Sequence, residues 1–275
     1  MNTIDDLTAE ALVALLREVA AEVILPRFRH LDASEIEAKT SPNDLVTVAD
    51  REAEVLLAEG VQRILPGCAV VGEEAVEDDP GLVAQIAEAE TCVILDPVDG
   101  TSNFARGLAV FGMILAVTRR GETVFGLLYD PVCDDWVMAH RGGGAWFVRG
   151  ETRQRLSTRA PRPLPEIEGM VPLSQADPDV RAASIAPFDG MRQVQTLRCS
   201  CHEYRLLAMG QTDFVTAVTI KPWDHAAGQL ILAEAGGASL LDDGSAYAPT
   251  RHSGRLISAA SPEVLALLRD VQPFS

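Results

Sequence analysis

The stretch from 111 to 150 places the tightest constraint on the fold. Its apolar runs FGMILAVT, TVFGLLYDPV, WVMAH and AWFV are separated by turn signals of only a few residues, RRGE and RGGG among them. A parallel pair needs a crossover of about a dozen residues or more, so runs joined this closely have to pair antiparallel. GGGAW at 142–146 accordingly reads as a hairpin turn. It is not a dinucleotide loop, because no G-x-G-x-x-G follows an early strand.

The flanking segments carry helix and strand signals. Leu7, Ala11, Leu15, Val19 and Val23 recur at every fourth position and predict an amphipathic helix that Pro26 must bend or end. Thr47 with Asp50 predicts a cap on a helix bearing Leu57, Val61 and Ile64, stopped by Pro66 and Gly67. Strands are expected over 69–71, leading to Glu73 and Glu74, and over 92–96, ending in an acid. The proline-rich stretch 158–166 divides the chain into expected units 1–157 and 158–275. The second unit reads as mixed: strands IEGMV, VQTLR and DFVTAV, helical residues around 176–185 and 202–209, a helix from near Asp224 to Gly236 and Gly237, and a last helix opened by Ser261 and Pro262. The pattern implies an α/β (α+β) class with stacked layers and largely antiparallel sheets.

Composition narrows the function. With 275 residues, 47% of them hydrophobic, the chain can bury a large core. The 40 acids against 23 bases, a net charge of −17, argue against a nucleic acid polymer, whose phosphates would be repelled. No run approaches the ~20 apolar residues that span a bilayer, and the N-terminus lacks the basic segment of a signal peptide. The five cysteines, of which only Cys199 and Cys201 are close, fit a reducing cytoplasmic setting and semi-buried thiols.

Acids mark the candidate site. DPVDGT sets Asp96 at a strand end and Asp99 three residues on, with Pro97 fixing the turn and the Val98 carbonyl between them. Carboxylates and a carbonyl are hard oxygen ligands, suited to Mg²⁺ or Mn²⁺. Gly100 allows close approach of the chain, and the amides near Gly100 and Thr101 could receive phosphate oxygens. Asp224 in WDHAAG opens a helix, where an acid is also favoured by the dipole alone. Gathering Glu73, Asp96, Asp99 and Asp224 without cations would cost heavily in repulsion and desolvation.

In order and spacing, KTSPNDLVTVAD at 39–50, GEE at 72–74, DPVDGTSNF at 96–104, WDHAAG at 223–228 and EAGG at 234–237 resemble the inositol monophosphatase family of metal-dependent, lithium-sensitive phosphatases. The resemblance implies a layered α-β-α-β-α sandwich, commonly a homodimer. It also implies two or three Mg²⁺ per site, with Mn²⁺ as an alternative. Glu73, Asp96 and the Val98 carbonyl would hold the first metal, and Asp96, Asp99 and Asp224 the second. Glu73 and Thr101 would orient the attacking water, with Asp50 holding the threonine hydroxyl. Gly100 and Thr101 amides would hold the phosphate, while Lys39 and Glu74 support the site. The implied activity is hydrolysis of a small phosphorylated metabolite.

The specificity segment departs from the family pattern. Where members acting on inositol phosphate carry a small-residue run such as Gly-Thr-Ala, this chain has RCSCHEYR, 198–205, and the acid that would receive sugar hydroxyls is replaced near Ala217. Ser200, His202, Glu203 and Arg205 become the candidate substrate residues. Glu203 would suit a cationic ester such as histidinol phosphate; Arg205 or Lys221 would suit a nucleoside 3',5'-bisphosphate or fructose 1,6-bisphosphate. His225, beside Asp224, reads as a structural or rim residue. A non-catalytic, metal-binding regulatory protein is the alternative from another class.

Overall fold

The computed structural model describes residues 3–38, 45–172 and 186–271. Lys39, with the polar loop after it, and the helix expected around 176–185 lie outside the described residues.

The short connections do form an antiparallel meander. Strands β5 (Gly112–Arg119), β6 (Glu122–Asp130), β7 (Asp135–His140), β8 (Gly144–Arg149) and β9 (Thr152–Arg155) follow one another in order. On the far side β4 (Thr91–Asp99) pairs antiparallel with β5, and β3 (Ala69–Gly72) pairs parallel with β4, completing a seven-stranded sheet. That parallel pair matters for the site, because it brings the acid-bearing ends of β3 and β4 to the same edge. A small hairpin, β1 (Ile36–Ala38) with β2 (Leu45–Thr47), stands apart.

Side chains along β4 alternate between two cores, as the period of a strand demands. Val93 and Leu95 face the cluster that includes Leu12, Leu16, Leu57 and Val61, supplied by helices α1 (Asp6–Val19) and α2 (Val48–Ile64). Cys92 and Ile94 face the opposite cluster with Tyr204, Ala227 and Ile231, supplied by α5 (Ser200–Ala208) and α6 (Pro222–Glu234). Two short helices, α3 (Glu73–Asp78) and α4 (Thr101–Ala105), follow directly on β3 and β4. α6 in turn lies against a five-stranded sheet ordered β11 (Gln193–Gln195), β10 (Glu168–Met170), β12 (Phe214–Ala217), β14 (Leu256–Ala259) and β13 (Ala238–Leu241). The last helix, α7 (Pro262–Val271), covers the outer face of this sheet through Val264, Leu265 and Leu268. Its cap is the Ser261 hydroxyl, which accepts from the Val264 amide at 3.2 Å. The molecule is therefore a five-layered sandwich of helices and open sheets.

One local expectation needs correction. Leu7 is 77% exposed, and the buried stripe of α1 runs through Leu12, Leu15, Leu16 and Val19 instead. Pro26 does end the helix: a π-helical segment, Ala20–Ile24, precedes it, one short piece, Leu25–Arg27, holds it, and Phe28 is extended. The sheets are largely antiparallel, as expected, with parallel pairs of β10 with β11 and with β12 in the second sheet.

Small residues set how closely α6 approaches the first sheet. A Cβ on Gly126 of β6 would meet the Ala227 carbonyl oxygen at 2.8 Å and its Cα at 2.9 Å. One on Gly228 would meet the Tyr204 ring at 2.3 Å. Ala227 of WDHAAG thus packs on the first sheet and Gly228 on α5, at the start of the helix that carries Asp224.

Gly126→Ala should destabilise the fold by about 1–3 kcal/mol in chemical denaturation, because the new methyl group meets backbone that has no rotamer to yield.

Candidate active site

A strand places residues i and i+3 on opposite faces, so Asp96 and Asp99 could not converge in a regular β4. They converge because the strand is bulged. Asp96 lies opposite Ile114 and Asp99 opposite Gly112, so three steps on β4 (99 − 96) match two on β5 (114 − 112). The extra residue returns both carboxylates to one side. Pro97 is compatible with the bulge, where no ladder amide is required. The Val98 amide donates to Asp96 Oδ1 at 3.1 Å and fixes that carboxylate.

Gly100 then turns the chain with φ +87°, and a Cβ there would meet the Val110 carbonyl oxygen at 2.9 Å. The turn delivers Thr101, whose hydroxyl lies 3.0 Å from Asp50 Oδ1 and 2.9 Å from the Val98 carbonyl oxygen. Asp50 is itself locked by the cap of α2. Its Oδ2 accepts from the Thr47 amide at 2.9 Å and from the Thr47 hydroxyl. Burial pushes the Asp50 carboxyl up to about 7, against the pull of these donors.

Asp224 enters from α6, in the first turn beside Pro222. Oxygens of Asp96, Asp99 and Asp224 all lie within 4.8 Å of one another. Burial first, then the neighbouring negative charges, holds Asp96 well above the usual carboxylate range. Burial and Asp224 raise Asp99 to about 7, and burial raises Asp224 to about 6 against the nearby Lys221 charge. Three hard-oxygen groups held at this separation suit a divalent cation, which would remove the cost of their proximity. The donor set therefore fits the metal that the sequence implies.

Asp99 has further donors at the start of α5. Its Oδ2 accepts from the Cys201 amide at 2.6 Å and faces the Cys199 thiol at 3.0 Å. Burial pushes the Cys199 thiol well above its ordinary range, so it stays protonated and donates. Both bonds fall on one oxygen, and the Ser200 amide bonds the same carboxylate.

Glu73 begins α3, with its Oε1 at 3.7 Å from Lys221 Nζ. Glu54 sets that helix in place by accepting from the amides of Glu74 and Ala75, both at 2.8 Å. A Cβ on Gly72 would strike the Glu54 carboxyl carbon at 2.2 Å, which accounts for the glycine of GEE. Sequence reading missed Glu54. The signal was there: Asp50, Glu54, Leu57 and Val61 share one helical face, and all four are buried.

These acids line a cleft of about 550 Å³ together with Ser200, Glu203, Ala217 and Lys221. Glu203 reaches the cleft wall, but its carboxylate accepts from the Leu197 amide at 2.8 Å and from the Thr196 hydroxyl at 3.2 Å. His202 and Arg205 are turned elsewhere. His202 Nε2 lies 3.0 Å from the Phe111 carbonyl oxygen. Arg205 is buried against β6 and β7, donating to the Leu128 carbonyl oxygen at 3.0 Å and pairing with Asp135. The cause is helical geometry: Ser200 and Glu203 share one face of α5, and His202 and Arg205 share another. His225 Nε2 faces the Thr219 carbonyl at 3.0 Å and so carries the proton, leaving Nδ1 to accept from the Tyr204 hydroxyl at 3.0 Å. Burial lowers this imidazole to about 4 and keeps it neutral.

Arg198, also unforeseen, lines the cleft with φ +54°. A side chain other than glycine in this left-handed region costs about 1–2 kcal/mol.

The same arrangement of chain occurs in known proteins. The profile of the inositol monophosphatase family matches residues 5–272. The fructose-1,6-bisphosphatase/inositol-1-monophosphatase of Thermotoga maritima is 30% identical over 226 residues, covering 82% of this chain and 81% of that protein. The Nus factor SuhB of Vibrio cholerae is 29% identical over 240 residues, 84% of this chain and 83% of its own. Among solved structures, the Thermotoga maritima IMPase superimposes with a TM-score of 0.79 at 26% identity, over 96% of this chain and 97% of that one. A match that runs almost from end to end and encloses every acid of the cluster leaves one assignment: the chain belongs to the inositol monophosphatase family, a superfamily of metal-dependent phosphatases.

Proposed function

We propose that the protein is a magnesium-dependent phosphomonoesterase that hydrolyses a small phosphorylated metabolite by attack of water. The observation that carries this reading is the buried cluster of Asp96, Asp99 and Asp224 within 4.8 Å, opening on a cleft of about 550 Å³. Glu73, Asp96, the Val98 carbonyl, Asp99 and Asp224 are the groups that would hold the cations. Such ions, when bound, make water more acidic and neutralise charge on the phosphoryl and leaving oxygens.

The chain's own groups supply position and proton control. Thr101 is pinned between Asp50 and the Val98 carbonyl, so its hydroxyl stands fixed beside the cluster. Glu73 is held at the head of α3 by the two amide bonds that Glu54 makes to the next residues. With Thr101 it is the pair that would orient the attacking water. The amides of Gly100 and Thr101 would receive the phosphate oxygens, in a turn that only glycine permits. Asp50, poised at about 7, can hold or release a proton at neutral pH.

The net charge of −17 supports a small-molecule substrate over a nucleic acid polymer, since a metal-loaded cleft is a local exception to the overall field. The family also supports inhibition by lithium, assembly as a homodimer and a cytoplasmic location. Among the described residues, no helix is long and apolar enough to cross a membrane.

The test is phosphate release from inositol 1-phosphate and related monoesters with Mg²⁺, with EDTA, and with Mg²⁺ plus Li⁺. Release should require Mg²⁺ and fall with Li⁺. Asp99→Asn and Asp224→Asn should each lower kcat/KM by about a hundredfold or more while circular dichroism is unchanged. Near-full Mg²⁺-dependent activity in Asp99→Asn would sink the assignment of that carboxylate, and a folded protein that binds Mg²⁺ but releases no phosphate would favour the regulatory alternative.

A second expectation concerns pH. Asp99 and Asp224 sit at about 7 and about 6 in the fold against a reference near 3.8, so the folded state binds more protons between those limits. Their contribution to stability is present below about pH 4 and is lost as pH rises to 7. In EDTA, Tm should fall across that window more steeply in the wild type than in Asp99→Asn. Added Mg²⁺ should raise the wild-type Tm most at the upper end, where the carboxylates are ionised. Equal slopes in the two proteins would refute the buried, ionisable cluster.

A further inference from the structure

Behind the cleft runs a chain of buried polar side chains, none of them a candidate ligand. It starts in the second sheet, where the Ser239 hydroxyl on β13 donates to Gln229 Oε1 at 2.5 Å. Gln229, on α6, donates from Nε2 to the Ser258 hydroxyl on β14 at 2.6 Å and to the Tyr204 hydroxyl on α5 at 2.8 Å. Tyr204 donates to His225 Nδ1 at 3.0 Å, and His225 Nε2 donates to the Thr219 carbonyl oxygen at 3.0 Å. That carbonyl can only accept, so the donors along the chain all point towards it. Tyr204, His225, Gln229 and Ser258 are buried. A buried network whose members are satisfied fixes one geometry, and this one ends on the backbone of Thr219.

Thr219 belongs to the segment 218–221, which joins β12 to α6 without regular structure. Val218 and Thr219 line the cleft, as does Asp224 at the start of α6. Of this segment only Ile220 is buried, against Leu241 and Leu256. Among the described residues, the bond from His225 is the one side-chain hydrogen bond to the backbone of 218–220. The imidazole itself has little freedom. The Tyr204 ring stands edge-on to it with centroids 5.8 Å apart, and that ring is in turn closed in by Gly228, where a Cβ would meet it at 2.3 Å. Tyr247 lies edge-on from another side at 6.4 Å. Both ring nitrogens are committed to protein partners, so the imidazole is no proton donor to a leaving group. Its free energy goes into placing the wall.

We propose that His225 is a positioning residue: by holding the Thr219 carbonyl, with Tyr204 and Gln229 behind it, it keeps the wall formed by Val218 and Thr219 against the space that the alcohol part of the substrate occupies. The gain in substrate binding rests on the phosphatase reading above; the anchoring of the wall does not. WDHAAG then has two functions in one turn of helix. Asp224 faces the acid cluster, and the next side chain leaves the same turn to hold the wall beside it. Loss of the His225 bond frees the wall but not Asp224, because α6 stays seated on the first sheet through Ala227 and Gly126. The signature is therefore a weaker hold on the alcohol with the chemical step largely kept, which appears as a raised KM.

The experiment compares the wild type with three variants. His225→Leu keeps an apolar volume and leaves the Thr219 carbonyl without its donor, His225→Gln can place an amide donor where Nε2 stands, and Tyr204→Phe keeps the ring on Gly228 and removes only the hydroxyl. Amide hydrogen exchange read by mass spectrometry needs no turnover: peptides covering 218–221 should exchange about tenfold faster in His225→Leu and near the wild-type rate in His225→Gln, with those of α1 unchanged. In turnover with Mg²⁺ of inositol 1-phosphate and of histidinol phosphate, His225→Leu should raise KM by about tenfold for each while kcat falls by less than about threefold. Tyr204→Phe should act in the same direction by about threefold, and His225→Gln should restore most of the loss. Inorganic phosphate, which has no alcohol part, should inhibit with the same constant throughout. Unchanged exchange at 218–221 in His225→Leu would overturn the proposal, as would equal losses in His225→Leu and His225→Gln, or a phosphate inhibition constant that rises in step with KM. Faster exchange with KM unchanged would overturn the role in binding. Faster exchange in His225→Leu, with no Mg²⁺-dependent release from either ester by the wild type, would remove the phosphatase reading and keep the anchor.

Discussion

One extra residue in the fourth strand governs the site. Without the bulge between Asp96 and Asp99, the two carboxylates would face opposite cores, one towards α1 and α2 and the other towards α5 and α6. With it, both emerge on the side where α6 brings Asp224. The rest of the architecture serves that convergence. A parallel neighbour, β3, ends at the same edge and presents Glu73, and a glycine at φ +87° carries the chain away so that Thr101 returns over the cluster.

The energetics of this arrangement run against ordinary core formation. Asp50, Glu54, Asp96, Asp99 and Glu203 are all buried, and burial raises the proton affinity of each. The group divides by partner. Asp50, Glu54 and Glu203 accept from amides and hydroxyls and act as internal clamps on the start of α2, the start of α3 and the loop before α5. Asp96 and Asp99 each keep an oxygen that faces its fellow acids, and the clamps fix the surfaces around them. Buried acids thus perform two tasks here, and what separates them is whether the carboxylate belongs to the cluster of facing acids.

Much of this was legible in the sequence, for identifiable reasons. Connections of a few residues leave antiparallel pairing as the only choice, so the meander followed from RRGE and RGGG. Thr47 and Asp50 announced the start of α2 because a capping box is local chemistry. The meeting of Asp96 and Asp99 with Asp224 could be expected from motif order, although no spacing argument brings residue 224 to residue 96. What escaped was orientation and pairing across distance. RCSCHEYR shows a row of polar side chains, and only packing against β6 and β7 decides that Arg205 turns inward and Ser200 outward to the cleft. The parallel pairs of the second sheet and the left-handed Arg198 also arise from tertiary contacts, which local propensity does not encode. Leu7 failed for the opposite reason: a regular four-residue spacing drifts around a helix of 3.6 residues per turn, and its first member has rotated into solvent.

The close seating of α6 between the sheets gives bound cations a mechanical consequence. Asp99 and Asp224 are 125 residues apart (224 − 99), one on the bulged edge of the first sheet and the other on the helix that supports the second. A cation shared by them is a clip that closes a very long loop, so it strengthens the molecule against separation of its two sheets more than against fraying of either one. Amide hydrogens buried between the layers are therefore the ones whose slow exchange depends on the ion, while those of α1, on the outer face of the first sheet, exchange at a rate set by their own packing. Loading the site joins two halves of the molecule that otherwise meet through α5 and through α6, a helix paved with alanine and glycine.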